Sequence, residues 1–281
     1  MSRLHLPDVT LVCVDTRTPE LALDAMRLSM AHVQFGRAIM FTDAATIAAL
    51  PPEIDGVEVD IDSIDAYSAF MMRGLAQHIR TTHVLVIQWD GYVLDPAQWD
   101  PAFLQFDYIG ALLKGETADR MVGNGGFSLR SRRLLDAMQD PAIVVENPED
   151  ICICHVNREY LERAHGIRIA SPEMAARFSF ERIRSHGNTF GFHGLYNMPE
   201  VLSTHAMEAL VRRMPDAMSH GVDARDLCQN LITGGQLNAA RVLIAKRRSL
   251  GPLHTRTLRL RCRYLLARFG LLFRNGIRRS A

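Results

Sequence analysis

The sequence predicts an α/β fold, a mixed Rossmann-like sheet flanked by helices, with a basic helical appendage after it. Three observations carry this. Short apolar runs ending at Asp alternate with helix-spaced segments over residues 9–91. From residue 95 to 195 the pattern changes to short strands set among glycine-rich turns. From about 199 onward the chain reads helical, and residues 227–281 hold 12 Lys and Arg and no acid. A chain of 281 residues suits one large domain with an appendage. The expected division is 1–198 and 199–281.

The elements follow in order. Residues 9–14, Val-Thr-Leu-Val-Cys-Val, form an apolar run that stops at Asp15-Thr16, as a buried parallel strand would. Thr18-Pro19-Glu20 starts a helix over 19–33, with Leu21, Ala25, Leu28 and Met30-Ala31 on its inner side. A second strand over 37–41 ends at Thr42-Asp43. Pro51-Pro52 breaks the chain before a short strand at 57–59. A helix is expected from Asp65 to about His78, with Phe70, Met71, Gly74 and Leu75 inward. Residues 82–87 make the strongest strand and stop at Gln88-Trp89-Asp90-Gly91. Such spacing implies right-handed βαβ units, whose ligands lie beyond the carboxyl ends of the strands. Asp15, Asp43 and Asp90 all fall there. Beyond them come short strands at 107–111 and 168–170, a glycine-rich turn and strand over 122–130, helices at 131–139 and 150–164, and the segment Phe190–Gly194. The C-terminal part offers a helical hairpin, 223–232 and 236–247 about Gly234-Gly235, and a last helix over 255–273.

Composition excludes several classes. Apolar content of 48% with 22% charged residues is that of a globular protein. No run of eighteen apolar residues is present, so no transmembrane helix is expected, and the first residues lack an apolar signal core. The expected location is cytoplasmic. Cys13, Cys152, Cys154, Cys228 and Cys262 are odd in number and scattered, which argues for reduced thiols over a disulfide framework. Cys152 and Cys154, even with His155, supply too few ligands for a structural zinc.

The candidate chemistry centres on 84–91. An acid placed directly after a buried strand is rigidly held, and Gly91 lets backbone approach a phosphate closely. Gln88-Trp89-Asp90-Gly91-Tyr92-Val93-Leu94 is followed by Tyr108-Ile109-Gly110-Ala111 and by Gly123-Asn124-Gly125-Gly126-Phe127-Ser128-Leu129-Arg130-Ser131. Glu149-Asp150 and Phe190-Gly191-Phe192-His193-Gly194 complete the series. In this order the five segments resemble a bacterial and fungal domain-of-unknown-function family with an A-type (GT-A) glycosyltransferase fold, and the resemblance covers roughly residues 9–195.

That resemblance implies a glycosyltransferase using a nucleotide-sugar donor and a hydroxyl acceptor, as in polysaccharide biosynthesis. Asp90 matches the last position of an Asp-x-Asp-like motif, which contacts metal and diphosphate. Gln88 stands where the first acid would be, and one carboxylate holds a divalent cation such as Mn²⁺ or Mg²⁺ less well than two. His193 matches a late His that completes the metal shell or touches the diphosphate. Asp15, Thr16, Arg17, Asp43, Arg73, Gln88, Trp89, Asp90, Gly91, Gly125 and Gly126 are the implied donor contacts. Asn124, Phe127 and Ser128 are the implied acceptor contacts. Inverting relatives place their base in a Glu-Asp pair, which assigns Asp150 as base and Glu149 as its neighbour.

Each position also has a plainer role. Asp90 suits a strand-end turn and Asp43 a loop cap. His193 suits a packed, hydrogen-bonded histidine. Asn124-Gly125-Gly126 suits a tight turn, and Glu149-Asp150 the acid-favouring start of a helix. Arg73 suits a solvated helix face, and Arg130 either the site or an ion pair.

Charge separates the two parts. Residues 1–226 carry 20 basic and 31 acidic groups, against the wholly basic tail. Arg256, Arg259, Arg261, Arg263, Arg268 and Arg274 alternate with Leu and Phe, which suits peripheral contact with an inner-membrane surface and a lipid-linked acceptor. A helical layer on the core is the plainer alternative. Nucleic-acid binding is not expected: thirty of the 32 basic residues are Arg, a skew that reflects composition more than selection for phosphate, and no helix-turn-helix signature is clear. Other readings are a nucleotidyltransferase-like or catalytically silent sugar-nucleotide binder, although Asp15-Thr16-Arg17-Thr18-Pro19 is not a glycine-rich basic loop.

Overall fold

A computed structural model describes residues 3–184, 187–251 and 254–270. The chain divides into two compact units, Met1–His193 and Gly194–Ala281.

The first unit is built on a six-stranded sheet of order β3-β2-β1-β4-β6-β5. β1 (Leu4–Val14), α1 (Pro19–His32), β2 (Val33–Thr42), α2 (Ala44–Ile47), β3 (Asp55–Glu58), α3 (Ile64–Ala69) and β4 (His83–Ile87) form its parallel part. β5 (Tyr108–Ile109) and β6 (Phe127–Ser131) add the antiparallel part. Helices α4 (Arg132–Ala137), α5 (Glu149–Ile151), α6 (Arg158–His165) and α7 (Pro172–Phe178) follow, and then a small parallel pair of strands, β7 (Ser179–Phe180) and β8 (Gly191–Phe192). The expected α/β class with a mixed, helix-flanked sheet is what forms.

Central strands are buried on both faces, which explains their unbroken apolar runs. Val12, Val14, Ile39, Phe41, Val84 and Val86 pack on Met71, Leu75 and Ile79 in one cluster. A second cluster gathers Tyr108, Leu134, Ile153, Leu161 and Ile167. Helix α1 buries Leu21, Ala22, Ala25, Met26 and Ser29. Its apolar stripe is thus turned from the expected one, and Leu28 faces solvent.

Other expectations need correction. β1 begins five residues early, pairing with the start of β2 across a register shift between Leu6 and Thr10. The helix expected over 65–78 is α3 continued by a π turn at Phe70–Gly74 and a 3₁₀ turn at Leu75–His78. The helix expected over 150–164 is likewise divided, by a π turn at Cys152–Val156. Residues 168–170 contribute a single bridge, Ile169 to Tyr108, in place of a strand.

The second unit is helical. It contains α8 (Met198–Val201), α9 (Thr204–Arg213), α10 (Val222–Thr233), α11 (Leu237–Lys246) and α12 (Thr255–Arg268). Gly234-Gly235 turns α10 into α11, with Gly235 at φ 73°. α12 packs on both of these helices. Positions 271–273 of the expected last helix lie outside the described residues. Among the described residues no helix is long and apolar enough to cross a membrane.

Candidate active site

Strand order reverses between β1 and β4, which run parallel, so their carboxyl ends bound a crevice of the kind that receives ligands in open α/β sheets. Strand β6 runs antiparallel to β4 and pairs Phe127 with Ile87. Its entry loop therefore meets the exit of β4, and the Gln88 amide donates to the Gly126 carbonyl at 2.9 Å. The two strongest sequence motifs, 88–91 and 123–131, become one edge.

His193 is the hub of that edge. Its Nε2 lies 3.1 Å from Gln88 Oε1 and 3.3 Å from Asp90 Oδ1, and its Nδ1 lies 3.2 Å from Asn124 Nδ2. Gln88 in turn donates from Nε2 to the Tyr67 hydroxyl at 3.1 Å. The ring fits because two neighbours lack side chains. A Cβ on Gly126 would stand 2.2 Å from His193 Nε2, and one on Gly91 would stand 2.7 Å from the Phe192 carbonyl oxygen. Asn124 adopts a left-handed conformation, φ 63°, which short polar side chains tolerate. Burial pushes the His193 pKa down, but the adjacent Asp90 carboxylate outweighs it and holds the pKa up, at about 9. The amide of Asn124 as placed suits a neutral ring protonated at Nε2. A half-turn of that group would present its oxygen to the imidazolium that Asp90 favours, at the loss of the 3.4 Å bond that oxygen accepts from the Phe127 amide.

The other half of the site is the acid pair. Glu149 Oε1 accepts from Arg130 Nη2 at 2.9 Å, with the arginine side chain 0% and the glutamate side chain 7% exposed. Arg130 also donates from Nε to Ser128 Oγ at 3.0 Å, while its Nη1 is buried without a partner among the described residues. Burial disfavours the guanidinium charge, yet Tyr108 and Glu149 beside it hold the Arg130 pKa above its ordinary value. Asp150, half-buried, is held differently: its Oδ2 accepts from the Gly125 amide at 3.2 Å and its Oδ1 from Ile151 N at 2.9 Å. A Cβ on Gly125 would lie 2.1 Å from Glu149 Oε1. Gly125 thus admits the acids and Gly126 admits His193, so two consecutive glycines join both halves of the site.

Beside this edge, beyond β1, β2 and β3, lies a cleft of about 540 Å³ lined by Thr16, Arg17, Asp43 and residues 59–64. Thr16 Oγ1 donates to the Ile61 carbonyl at 2.6 Å and fixes one wall. Asp43 lines the cleft and also caps α2. The Thr46 amide, donating at 2.9 Å, keeps its carboxyl below the ordinary range. Asp15 accepts from Arg17 N, Thr18 N and Thr18 Oγ1, so its carboxylate shapes the turn into α1 and is not part of the cleft lining.

Three expected contacts are not brought here. Arg73 donates to the carbonyls of Met138, Asp140 and Ile143, anchoring the chain after α4. Phe127 and Ser128 are fully buried, so they present no surface to an acceptor. The Phe127 ring packs with Phe178 and Phe190, and Ser128 Oγ donates to the Gly125 carbonyl at 3.1 Å. Both support the glycine loop from behind. Trp89 is half-buried in the turn itself. Sequence reasoning missed Tyr67 and the 59–64 wall. Tyr67 has no local signature, since it matters only through its contact with Gln88.

The fit to a cation can be judged from the donors. Asp90 Oδ1, His193 Nε2 and Gln88 Oε1 converge with gaps of 3.1 and 3.3 Å at the nitrogen. Adjacent ligands of one octahedral ion held at about 2.1 Å stand about 3 Å apart, so the spacing from the nitrogen to each oxygen suits an ion once His193 has lost the Nε2 proton that Asp90 favours. Only one is a carboxylate, and no group of three or more His, Cys, Asp or Glu placed to hold a metal ion occurs among the described residues. Such a site needs anionic oxygens from its ligand. Cys152 and Cys154 are buried thiols whose pKa values burial pushes up.

Residues 56–193 match the model of a family described as a protein of unknown function, DUF5672, the kind of family to which the five motifs pointed. No match is found among curated protein sequences. Among solved structures, the chain is similar to the galactosyltransferase LgtC in complex with donor and acceptor sugar analogs, at 12% identity and TM-score 0.40 over 66% of this chain and 86% of that one. It is similar to the mannosyltransferase PcManGT from Pyrobaculum calidifontis, bound to GDP-Man and Mn²⁺, at 12% identity and TM-score 0.40 over 96% and 86%. The bifunctional IspDF from Campylobacter jejuni is similar at 10% identity and TM-score 0.40 over 69% and 54%.

Proposed function

We propose that the chain is a glycosyltransferase that moves a sugar from a nucleotide-sugar donor to a saccharide hydroxyl, inverting at the anomeric carbon. One observation carries this: Gly125 and Gly126 bring an acid pair and a carboxylate–histidine pair to the two sides of one loop, at the switch point of the sheet. Transfer from a sugar diphosphate needs both a base for the incoming hydroxyl and positive charge facing the leaving group.

In this proposal the cleft formed by Thr16, Arg17, Asp43 and 59–64 receives the nucleoside, and Trp89, Asp90 and Gly91 face the diphosphate. Asp90, His193 and the Gln88 amide oxygen would hold a divalent cation, Mn²⁺ or Mg²⁺, which when bound neutralises charge developing on the diphosphate. Asp150 takes the acceptor proton as the acceptor oxygen forms its bond to the anomeric carbon and the bond to the diphosphate breaks. Glu149 is already committed to Arg130. Its buried ion pair fixes the start of α5 and, with it, the Asp150 carboxylate. Asn124, expected as an acceptor contact, is buried and holds His193 Nδ1 at 3.2 Å, so it serves the acceptor side by positioning that ring. A lipid-linked saccharide at the cytoplasmic face of the inner membrane is the proposed acceptor.

The test is Asp150→Asn. Removing a general base costs about 10²–10⁴-fold in rate, so transfer should fall by that factor while donor affinity, measured by calorimetry, stays within about twofold. A folded variant with full turnover would overturn the assignment.

A further inference from the structure

The described part of the basic tail carries an apolar face that nothing among the described residues of its own unit covers. Helix α12 turns Thr257, Leu260 and Ala267 inward. At about 100° per residue, Cys262, Leu265, Leu266 and Phe269 fall in one sector about 100° wide on the opposite side. Leu265 is 47%, Leu266 42% and Phe269 70% exposed, and Cys262 is exposed as well. Arg256, Arg259 and Arg263 border that sector on one side, Arg261 and Arg268 on the other. A helix stabilised only by its inward stripe has no use for a second apolar stripe, because exposed Leu and Phe gain nothing in water.

We infer that this outward face of α12 lies in the surface of an anionic lipid bilayer. Its apolar residues would enter the boundary between headgroups and acyl chains, while the flanking arginines meet lipid phosphates. The charge pattern selects this occupant. Arginines on both margins, with no acid anywhere from 227 to 281, would repel one another across a contact with a second copy. An apolar centre would serve no purpose against nucleic-acid phosphates. The inference does not rest on the transfer chemistry, and it places the catalytic unit where a lipid-linked acceptor resides.

The experiment is co-sedimentation of the full-length protein with vesicles of phosphatidylglycerol and phosphatidylcholine, and with phosphatidylcholine alone, at low salt. Binding is expected to the anionic vesicles only, and to fall steeply as salt screens the arginines. The double variant L266D/F269D removes two apolar anchors and should lower partitioning at least about tenfold. The double variant R259E/R263E should do likewise. All four positions are exposed, so melting curves should match the wild type. Absence of binding to anionic vesicles, or variants that bind as the wild type does, would overturn the inference. So would a dimer abolished by L266D/F269D, or a salt-sensitive gel shift, in a protein that ignores vesicles. Donor binding in solution is unaffected by these changes, so failure here is distinct from failure of the transferase proposal.

Discussion

Glu149 and Asp150 are neighbours in sequence with opposite surroundings. Glu149 is buried against Arg130, whereas Asp150 is half-buried and held by the Gly125 amide. Breaking a buried ion pair leaves an uncompensated charge, so Arg130→Met should cost about 3–5 kcal/mol. The double variant Arg130→Met with Glu149→Leu should recover most of that stability in urea unfolding, yet transfer slowly, because the start of α5 is no longer pinned. Recovery of both stability and rate would deny the pair its positioning role. Gln88 permits a gain-of-binding test. Gln88→Asp adds a second carboxylate beside Asp90, so Mn²⁺ affinity measured without nucleotide should rise by about tenfold or more, since hard cations favour several anionic oxygens. Unchanged affinity would mean that Gln88 does not face the ion. Gly126→Ala drives a Cβ into the His193 ring. Overpacking of this kind costs about 1–3 kcal/mol, and donor binding should weaken along with the melting temperature.

At the scale of elements, what the sequence made legible follows from period and punctuation. The β4 run and its stop at Gln88 are local facts, and so are the Thr18-Pro19 start of α1 and the glycines before β6. The carboxyl-end edge could be placed because parallel strands deliver their last residues to one side. The misplaced features are tertiary. The π turns at Phe70–Gly74 and Cys152–Val156 leave the apolar spacing nearly helical, so pattern alone reads them as continuous helix. Arg73 was expected near the diphosphate, but the free carbonyls after α4 claim it. Phe127 and Ser128 follow the glycine loop in sequence, yet strand geometry sends both into the interior. Asp107 illustrates the same point. It joins β5 to β6 by accepting from Ser131 Oγ, Arg133 and the Arg168 amide. Burial raises its pKa, but these donors outweigh burial and hold it below the ordinary 3.8. A depressed carboxyl stabilises the fold above its unfolded pKa and loses that contribution as pH falls through the folded value. Asp107→Asn should therefore cost about 1–3 kcal/mol near neutrality. The gap from wild type should narrow below about pH 4; a gap independent of pH would contradict the assignment.

At the scale of the molecule, two units of opposite charge divide the work in this account. The acidic first unit holds all proposed catalytic and donor-binding groups, between Thr16 and His193, and the basic second unit carries the helix proposed to face lipid. The charge split and the helical character of the tail were readable from composition. The outward apolar face of α12 was not, because Leu and Arg alternate along it and only packing decides which leucines turn inward. The most direct measurement of the central claim is a thermal-shift series of nucleoside diphosphate sugars with Mn²⁺ on the wild type and on His193→Ala. Ligand binding to the native state adds about 2.7 kcal/mol at a hundredfold excess over Kd. At least one sugar nucleotide should raise the melting temperature by several degrees in the wild type, and the shift should largely vanish in the folded variant. No shift with any sugar nucleotide, or a shift that survives in His193→Ala unchanged, would contradict the site described.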